Sequence, residues 1–209
     1  MGTWTEMPRL LLALLGFSAM FGCGSQTPPD YFPLEVGNRW EYHRKDAPDI
    51  RRVIEVADTK SLDGKLWYRL THVIQAPAEY APLFAPKARY DANGSIRVDE
   101  GDHWERVDHG RRLWMGQDGD RAVVVADFGA PSRKTYSVEL FCGKRATNYA
   151  STHALEIQYE RECSDAGIVS DVYGQSVGLQ KRVESGWVGQ LTWELVSARV
   201  HGRNVTLPK

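Results

Sequence analysis

The sequence lacks several features that define large classes of proteins. Its formal net charge is −1, so the excess of Lys and Arg that a nucleic-acid groove or a polybasic membrane surface requires is missing. The apolar run at residues 10–21 has 12 residues, whereas a membrane-spanning helix takes about 20. After this run, no stretch shows the 3.6-residue periodicity of an amphipathic helix. We therefore predict no nucleic-acid partner and few helices.

The same apolar run is followed at once by Gly22, Cys23 and a polar segment. A short apolar run preceded by Arg9 is typical of a secretory signal peptide. A small residue before a cysteine at this point resembles the lipobox of bacterial lipoproteins. The resemblance implies that residues 1–22 are removed, that Cys23 is acylated and binds membrane lipid, and that Gly24 permits sorting to the bacterial outer membrane. The alternative is a signal peptide cut elsewhere, with Cys23 incidental.

The rest of the chain predicts one domain. Residues 23–30 are small, polar and rich in proline, and we interpret them as the lipidated cysteine and a flexible tether. No linker interrupts residues 31–203, which we predict to be a single β domain. Residues 204–209 are predicted to be a C-terminal tail.

Alternation of apolar and polar residues with a period of two is the dominant pattern, and it predicts half-buried antiparallel strands. The clearest apolar sets are Tyr136, Val138 and Leu140; Leu155, Ile157 and Tyr159; and Leu191, Trp193 and Leu195. After Leu195 the apolar phase shifts by one residue, which predicts a β-bulge. Residues 122–126 are continuously apolar and predict a strand covered on both faces. The predicted fold is all-β, an antiparallel sandwich or a partly open barrel.

Residues 88–98 predict a hairpin in detail. A three-residue loop, with Gly94 in the left-handed region, would pair Tyr90 with Ile96 and Arg89 with Arg97. Residues 76–86 contain three prolines, so we expect a loop or at most one helical turn there.

Three segments resemble a group of bacterial secreted proteins and lipoproteins. Residues 31–42 contain Phe-Pro-Leu-x-x-Gly-Asn-x-Trp-x-Tyr, and residues 126–131 and 173–179 are similar to later segments of that group. The resemblance implies an antiparallel β fold, and it brings no activity with it.

Cys142 and Cys163 form an even set once Cys23 is assigned to lipid. An exported protein meets an oxidising compartment, so we predict that these two cysteines form a disulfide. Free thiols are the alternative. A zinc site that includes His153 would lack a fourth ligand.

The segment at residues 174–178 matches the Gly-x-Ser-x-Gly pattern of a hydrolase nucleophile elbow, with Ser176 as nucleophile. Glu184 or Glu194 and then His201 follow in the chain order of a triad. The elbow requires a strand before the serine and a helix after it, and a β-like segment follows instead. We therefore predict no enzyme, and a serine hydrolase using Ser176 is the alternative.

Asp99, Asp102, His103 and His109 are weak candidates for a metal site, because hard ligands cluster there without a metal-binding spacing. We predict neither a metal nor a cofactor. The resulting hypothesis is a membrane-anchored lipoprotein with a non-catalytic β domain for binding or envelope structure. Its 7 Trp and 9 Tyr residues leave room for an apolar or carbohydrate ligand, and an envelope protein is the other expected partner.

Overall fold

The computed structural model describes residues 29–115, 121–186 and 189–206. The predicted signal peptide, Cys23 and most of the tether lie outside these residues. No helix among the described residues is long and apolar enough to cross a membrane. The strands are β1 (Arg39–Arg44), β2 (Ala47–Leu62), β3 (Lys65–Ala76), β4 (Arg89–Tyr90), β5 (Ile96–Asp108), β6 (Arg111–Met115), β7 (Ala122–Asp127), β8 (Thr135–Leu140), β9 (Gly143–Ala150), β10 (Ala154–Arg161), β11 (Gly167–Gly174), β12 (Gly178–Gly186), β13 (Gly189–Val200) and β14 (Arg203–Thr206).

Between β3 and β4, a 3₁₀ turn (Ala78–Tyr80) is followed by the one-turn helix α1 (Ala81–Phe84). This agrees with the single helical turn that the prolines of the segment allow.

The strands form one antiparallel sheet of 14 strands in the order β7-β6-β5-β3-β2-β1-β13-β12-β11-β10-β9-β8, with β4 on β5 and β14 on β13. The end strands β7 and β8 approach each other without a hydrogen-bonded ladder, and side chains bridge them. The Asn148 amide donates to the carbonyl of Asp127 at 2.7 Å, and the hydroxyl of Tyr136 donates to Asn148 at 2.8 Å. The predicted all-β fold is therefore confirmed, and it is a nearly closed barrel.

The barrel has two rims, because successive antiparallel strands turn at alternate ends. The segment before β1 closes one of them, which we call the plugged rim. There the backbone N–H of Ser176, in the β11–β12 turn, donates to the carbonyl of Asp30 at 2.7 Å. The opposite end, where β8 turns into β9 and β12 ends, we call the open rim.

Stacked aromatic rings fill the plugged rim. Phe32 lies parallel to Trp40 with ring centroids 5.7 Å apart, and Phe128 meets Tyr173 edge-on at 5.0 Å. The indole N–H of Trp40 donates to the carbonyl of Val177 at 2.6 Å, so this polar group is satisfied inside the core. The three segments that carry the family resemblance thus meet at one place, and their role there is packing.

Local predictions from the sequence are largely confirmed. Tyr90 pairs with Ile96 and Arg89 with Arg97, and Gly94 has a φ of 78°, as the three-residue loop requires. The apolar phase shift near Leu195 is a bulge, because the register with β1 passes from Ser197 directly to Leu195.

Two predictions were wrong in part. Residues 122–126 were expected to be covered on both faces, but Ala122 is exposed and only Val125 and Ala126 are buried, because β7 ends the ladder. The predicted tail starts too early. Residues 204–206 belong to β14, since the turn at His201 and Gly202, both with positive φ, folds the chain back onto β13.

Candidate functional site

A cavity of about 320 Å³ lies inside the open half of the barrel. Both halves of the sheet contribute charged side chains to its wall: Arg52, Glu100, Asp102, Glu105, Arg112, Arg182 and Glu184. Tyr159 and apolar or aromatic side chains complete it: Trp114, Val125, Leu140 and Ile168. A polar interior of this kind differs from the aromatic core at the plugged rim.

A bulge in β5 explains why neighbouring residues of that strand all reach the cavity. His72 pairs with Gly101 and Val73 pairs with Asp99, so Glu100 has no partner on β3. Gly101 adopts a φ of 96° at this irregularity, a conformation that glycine reaches at little cost. Bulges re-aim side chains, and this one brings Glu100 and Asp102 to the cavity wall together.

Arg112 and Glu105 form the deepest ion pair of the cavity. Two guanidinium nitrogens of Arg112 donate to the Glu105 carboxylate at 2.7 and 2.6 Å, and a third donates to the Tyr173 hydroxyl at 2.8 Å. Burial alone would raise the pKa of Glu105, but Arg112 and His103 hold it well below its ordinary value. Glu105 is therefore ionised near neutral pH, and the pair is fixed.

Arg182 forms a second buried pair with Asp171, donating to its carboxylate at 2.7 and 2.8 Å. The Tyr173 hydroxyl donates to the same carboxylate at 3.0 Å. Tyr173 thereby links the two ion pairs into one hydrogen-bonded network across the barrel.

Arg52 lies nearer the open rim, between two carboxylates. Its Nε is 2.9 Å from Glu100 and its Nη1 is 2.9 Å from Glu184, and the guanidinium lies 4.1 Å from the centre of the Trp193 ring. Burial raises the pKa of Glu184, but Arg52 and Arg182 outweigh this and lower it. Together, Arg52, Glu100 and Glu184 carry a net charge of −1, from two carboxylates and one guanidinium.

Two nitrogens of this network lack a hydrogen bond among the described residues: Arg52 Nε, which still lies 2.9 Å from the Glu100 carboxylate, and a ring nitrogen of His72. In His72 this nitrogen is Nε2, which is buried. Burial lowers the pKa of His72 well below its ordinary value, and the neighbouring His103 and Arg52 lower it further. The neighbouring His103, by contrast, has its Nε2 2.5 Å from Glu105. Neutral His72 therefore lines the cavity and has a buried ring nitrogen without a partner among the described residues.

Of the four metal candidates, Asp102 and His103 line the cavity, whereas Asp99 and His109 lie elsewhere. Asp102 pairs with Arg69 at 3.1 Å, His103 faces the barrel interior, Asp99 is exposed beside Arg97, and His109 is exposed in the β5–β6 turn. Within residues 29–115, 121–186 and 189–206, no group of three or more His, Cys, Asp or Glu side chains could hold a metal ion.

Ser176 lies at the plugged rim, in the turn between two antiparallel strands, and the strand β12 follows it where a nucleophile elbow would need a helix. Glu184 bonds Arg52 and Trp193 in the open half, Glu194 lies near His43 and Lys45, and His201 pairs with Glu35. In the described parts of the chain, no hydrogen bond joins Ser176 to any of these proposed partners.

Cys142 and Cys163 form the predicted disulfide, with Cα atoms 5.2 Å apart. The bond joins the β8–β9 turn to the β10–β11 connection at the open rim, close to Leu140 of the cavity wall. It therefore ties together two turns beside the cavity entrance.

The sequence did not indicate the cavity residues as a group. Arg52, His72, Arg112 and Arg182 come from four strands distant in the chain. One signal was present, because Arg112, Asp171 and Arg182 occupy positions where the strand alternation calls for an inward side chain. A charged residue at an inward position indicates a buried ion pair or a site, but the sequence does not show which residue is its partner.

Comparison with solved structures finds two proteins to which this chain has a distant similarity. No family model matches the chain, and no curated protein matches it. A candidate lipoprotein from Parabacteroides distasonis ATCC 8503 is 11% identical, covering 86% of this chain and 100% of that one with a TM-score of 0.45. A candidate exported protein with a YmcC-like fold from Bacteroides fragilis NCTC 9343 is also 11% identical, covering 84% and 98% with a TM-score of 0.42. At this level of similarity, neither structure supports an inference about function.

Proposed function

We propose that the chain is an exported bacterial lipoprotein, held on the outer membrane through lipid on Cys23, whose barrel binds a small ligand without catalysis. The observation that carries the binding role is the cavity in the open half, where the buried Nε2 of His72 has no partner among the described residues. A buried polar atom without a partner costs about 1–3 kcal/mol, and a bound ligand that pairs with it removes this cost.

Export is supported by two independent features. Residues 10–23 have the pattern of a lipoprotein signal peptide, and Cys142 and Cys163 form a disulfide, which is usual in oxidising compartments. A single acyl chain holds a protein only marginally, whereas two or three hold it firmly. Acylation of Cys23 would therefore suffice without a basic surface.

The anchor is tested by labelling cells with radioactive palmitate and separating their membranes. We expect label in the wild-type protein and none in Cys23→Ala, which should move to the soluble fraction. Cys142→Ser is the matched control and should keep both the label and the membrane location. An unlabelled wild-type protein, or a Cys23→Ala protein that stays with the membrane, would refute the anchor.

The binding role is tested by native mass spectrometry of the Cys23→Ala protein mixed with a low-molecular-mass extract of the envelope. We expect a bound small molecule that is absent from Ile168→Trp, since the larger side chain fills the cavity. The matched control is Val36→Trp, which introduces the same side chain at an exposed position away from the cavity. If neither the Cys23→Ala protein nor its Val36→Trp control carries a bound molecule, the binding role is wrong.

The absence of catalysis is tested with a fluorophosphonate probe for active serines. We expect no labelling of the folded protein. Labelling that disappears in Ser176→Ala would establish the hydrolase instead.

A further inference from the structure

The arginines of the cavity are already neutralised. Arg112 donates to Glu105, Arg182 donates to Asp171, and Arg52 lies between Glu100 and Glu184. A phosphate or carboxylate ligand would find most of the guanidinium donors bonded to these carboxylates, with Arg52 Nε the exception among the described residues. It would also approach the excess negative charge around Arg52. The charges therefore disfavour an anionic ligand.

The same charges disfavour a purely apolar ligand. Filling the cavity with hydrocarbon would remove water from the partly accessible carboxylates of Glu100, Asp102 and Glu184 without giving them new hydrogen bonds, which is costly. An apolar molecule would also leave His72 Nε2 unpaired.

Hydroxyl groups fit what the wall offers. A carboxylate has about four acceptor positions, and Glu100 uses few of them for Arg52, so it can accept further O–H donors. Neutral His72 has one nitrogen that can accept or donate, and a hydroxyl can serve either role. An uncharged group with several hydroxyls satisfies these atoms together.

Trp114 offers the cavity a flat apolar surface. It lines the wall, its exposed fraction is 36%, and its ring lies 4.6 Å from that of His103. Such a ring can pack against the C–H face of a sugar while the hydroxyl edge meets polar groups. The volume of about 320 Å³ lies at the small end of ligand sites, which span about 300–1,000 Å³.

We propose that the cavity binds an uncharged, hydroxyl-rich group of the saccharide class, packed on Trp114 and hydrogen-bonded to His72 and Glu100. This inference rests on the proposed binding function and names its ligand class. The group could be a free sugar or the headgroup of a glycolipid. A groove beside α1 shares Glu100 with the cavity, and its wall combines Lys87 with apolar side chains such as Leu83 and Phe84. An alkyl chain on the sugar would lie against these apolar side chains.

The test is saturation-transfer NMR at neutral pH on the Cys23→Ala protein. The probes are D-glucose, N-acetyl-D-glucosamine, methyl β-D-glucoside and octyl β-D-glucoside, with inorganic phosphate and laurate as competitors. We expect transfer to at least one sugar ring, without displacement by either competitor. Similar binding of the two glucosides indicates a free sugar, whereas tighter binding of the octyl form indicates a glycolipid headgroup.

The variant His72→Phe should weaken sugar binding at least about five-fold, since a lost hydrogen bond to a buried group costs about 1–3 kcal/mol. His109→Phe, at an exposed histidine of the plugged rim, is the matched control and should bind as before. Glu100→Gln is a second variant, chosen because its half-accessible position tolerates the change, and it should also weaken binding. Circular dichroism verifies that each variant is folded.

The saccharide inference is overturned if none of the four sugars shows transfer, if phosphate or laurate displaces them, or if His72→Phe and Glu100→Gln bind as the control does. In those cases a molecule still detected by native mass spectrometry would preserve the binding function with another ligand class. If no molecule is detected either, both proposals fail.

Discussion

The two halves of the barrel bury different kinds of side chain. The plugged rim buries aromatic rings. The Trp40 indole N–H and the Tyr42 hydroxyl donate to backbone carbonyls, and the Tyr173 hydroxyl joins the ion pairs of the open half. The open half buries those ion pairs, and among the described residues Arg52 and His72 each leave one nitrogen without a hydrogen bond. One sheet therefore combines a half packed with aromatic rings and a half that holds buried charges, where we propose that a ligand binds.

This division has a physical reason. Aromatic burial is favourable without further partners, so the plugged rim is complete by itself. Buried charges contribute little net stability even when paired. Their presence in the open half is therefore poorly explained by folding alone, which agrees with a role in binding.

The largest expected effect is that of Arg112→Met. It leaves the Glu105 carboxylate buried without its partner, and we expect the free energy of unfolding to fall by about 3–5 kcal/mol. Urea denaturation measures this. Arg111→Met, at the exposed neighbour that pairs with Asp127, is the control and should cost under about 1 kcal/mol.

The double variant Glu105→Leu/Arg112→Met sharpens the comparison. If the ion pair is not needed for folding, this variant should regain most of the lost stability, because no uncompensated charge is left. A double variant as unstable as Arg112→Met would show that the pair is structural, and the contrast between the halves would fail.

Loss of the disulfide should be the next largest effect. The bond closes a loop with a sequence separation of 21, and the double variant Cys142→Ser/Cys163→Ser should lose about 3 kcal/mol. Reduction of the wild-type protein with dithiothreitol should give a similar loss in urea denaturation. Equal stability of the oxidised and reduced proteins would contradict the expectation.

At the plugged rim, Trp40→Phe should lower the free energy of unfolding by about 2 kcal/mol, because the buried carbonyl of Val177 loses its donor. Trp114→Phe, in the cavity wall, is the matched control. It should cost less than about 1 kcal/mol, since no buried polar group is orphaned. Equal costs for the two changes would remove the energetic difference between the rims.

The smallest expected effect is a pH dependence from Glu105, whose pKa is lower in the folded protein than in the unfolded chain. Its contribution to stability is complete above the ordinary pKa of about 4.3 and declines as the pH falls towards the folded value. Between pH 5 and pH 3, the wild-type protein should therefore lose about 1–2 kcal/mol more than Glu105→Gln.

Glu139→Gln, at an exposed carboxylate that pairs with Arg121, is the control for this titration and should keep the wild-type pH dependence. Urea denaturation at each pH gives the comparison. An unchanged slope in Glu105→Gln would show that Glu105 has an ordinary pKa in the folded state.

The sequence predicted local structure well because alternation is a local property. The faces of β8 and β10, the hairpin at Gly94 and the bulge near Leu195 all depend on residues close together in the chain. The disulfide could also be predicted, because two cysteines remain once Cys23 is assigned to lipid and the signal peptide indicates export to an oxidising compartment.

The cavity could not be predicted in the same way. Arg112 and Tyr173 meet across the barrel although 61 residues separate them, and no pattern in the chain specifies that pairing. The choice between a sandwich and a barrel depended on how β7 and β8 meet, which side chains such as Asn148 decide. Ser176 shows the limit of a local motif. Residues 174–178 match the Gly-x-Ser-x-Gly pattern, but the fold around them is a turn between two antiparallel strands and not a nucleophile elbow.

The hydrogen bond between Asp30 and Ser176 also bears on orientation at a membrane. It holds the start of the described chain at the plugged rim, and five residues, 24–28, separate Cys23 from Pro29. Even fully extended, a segment of this length spans only about 20 Å. With lipid on Cys23, the plugged rim would face the bilayer and the cavity would open towards the aqueous side. A free sugar would then arrive from the surrounding compartment, and a glycolipid would have to come from a source other than the membrane that holds the protein.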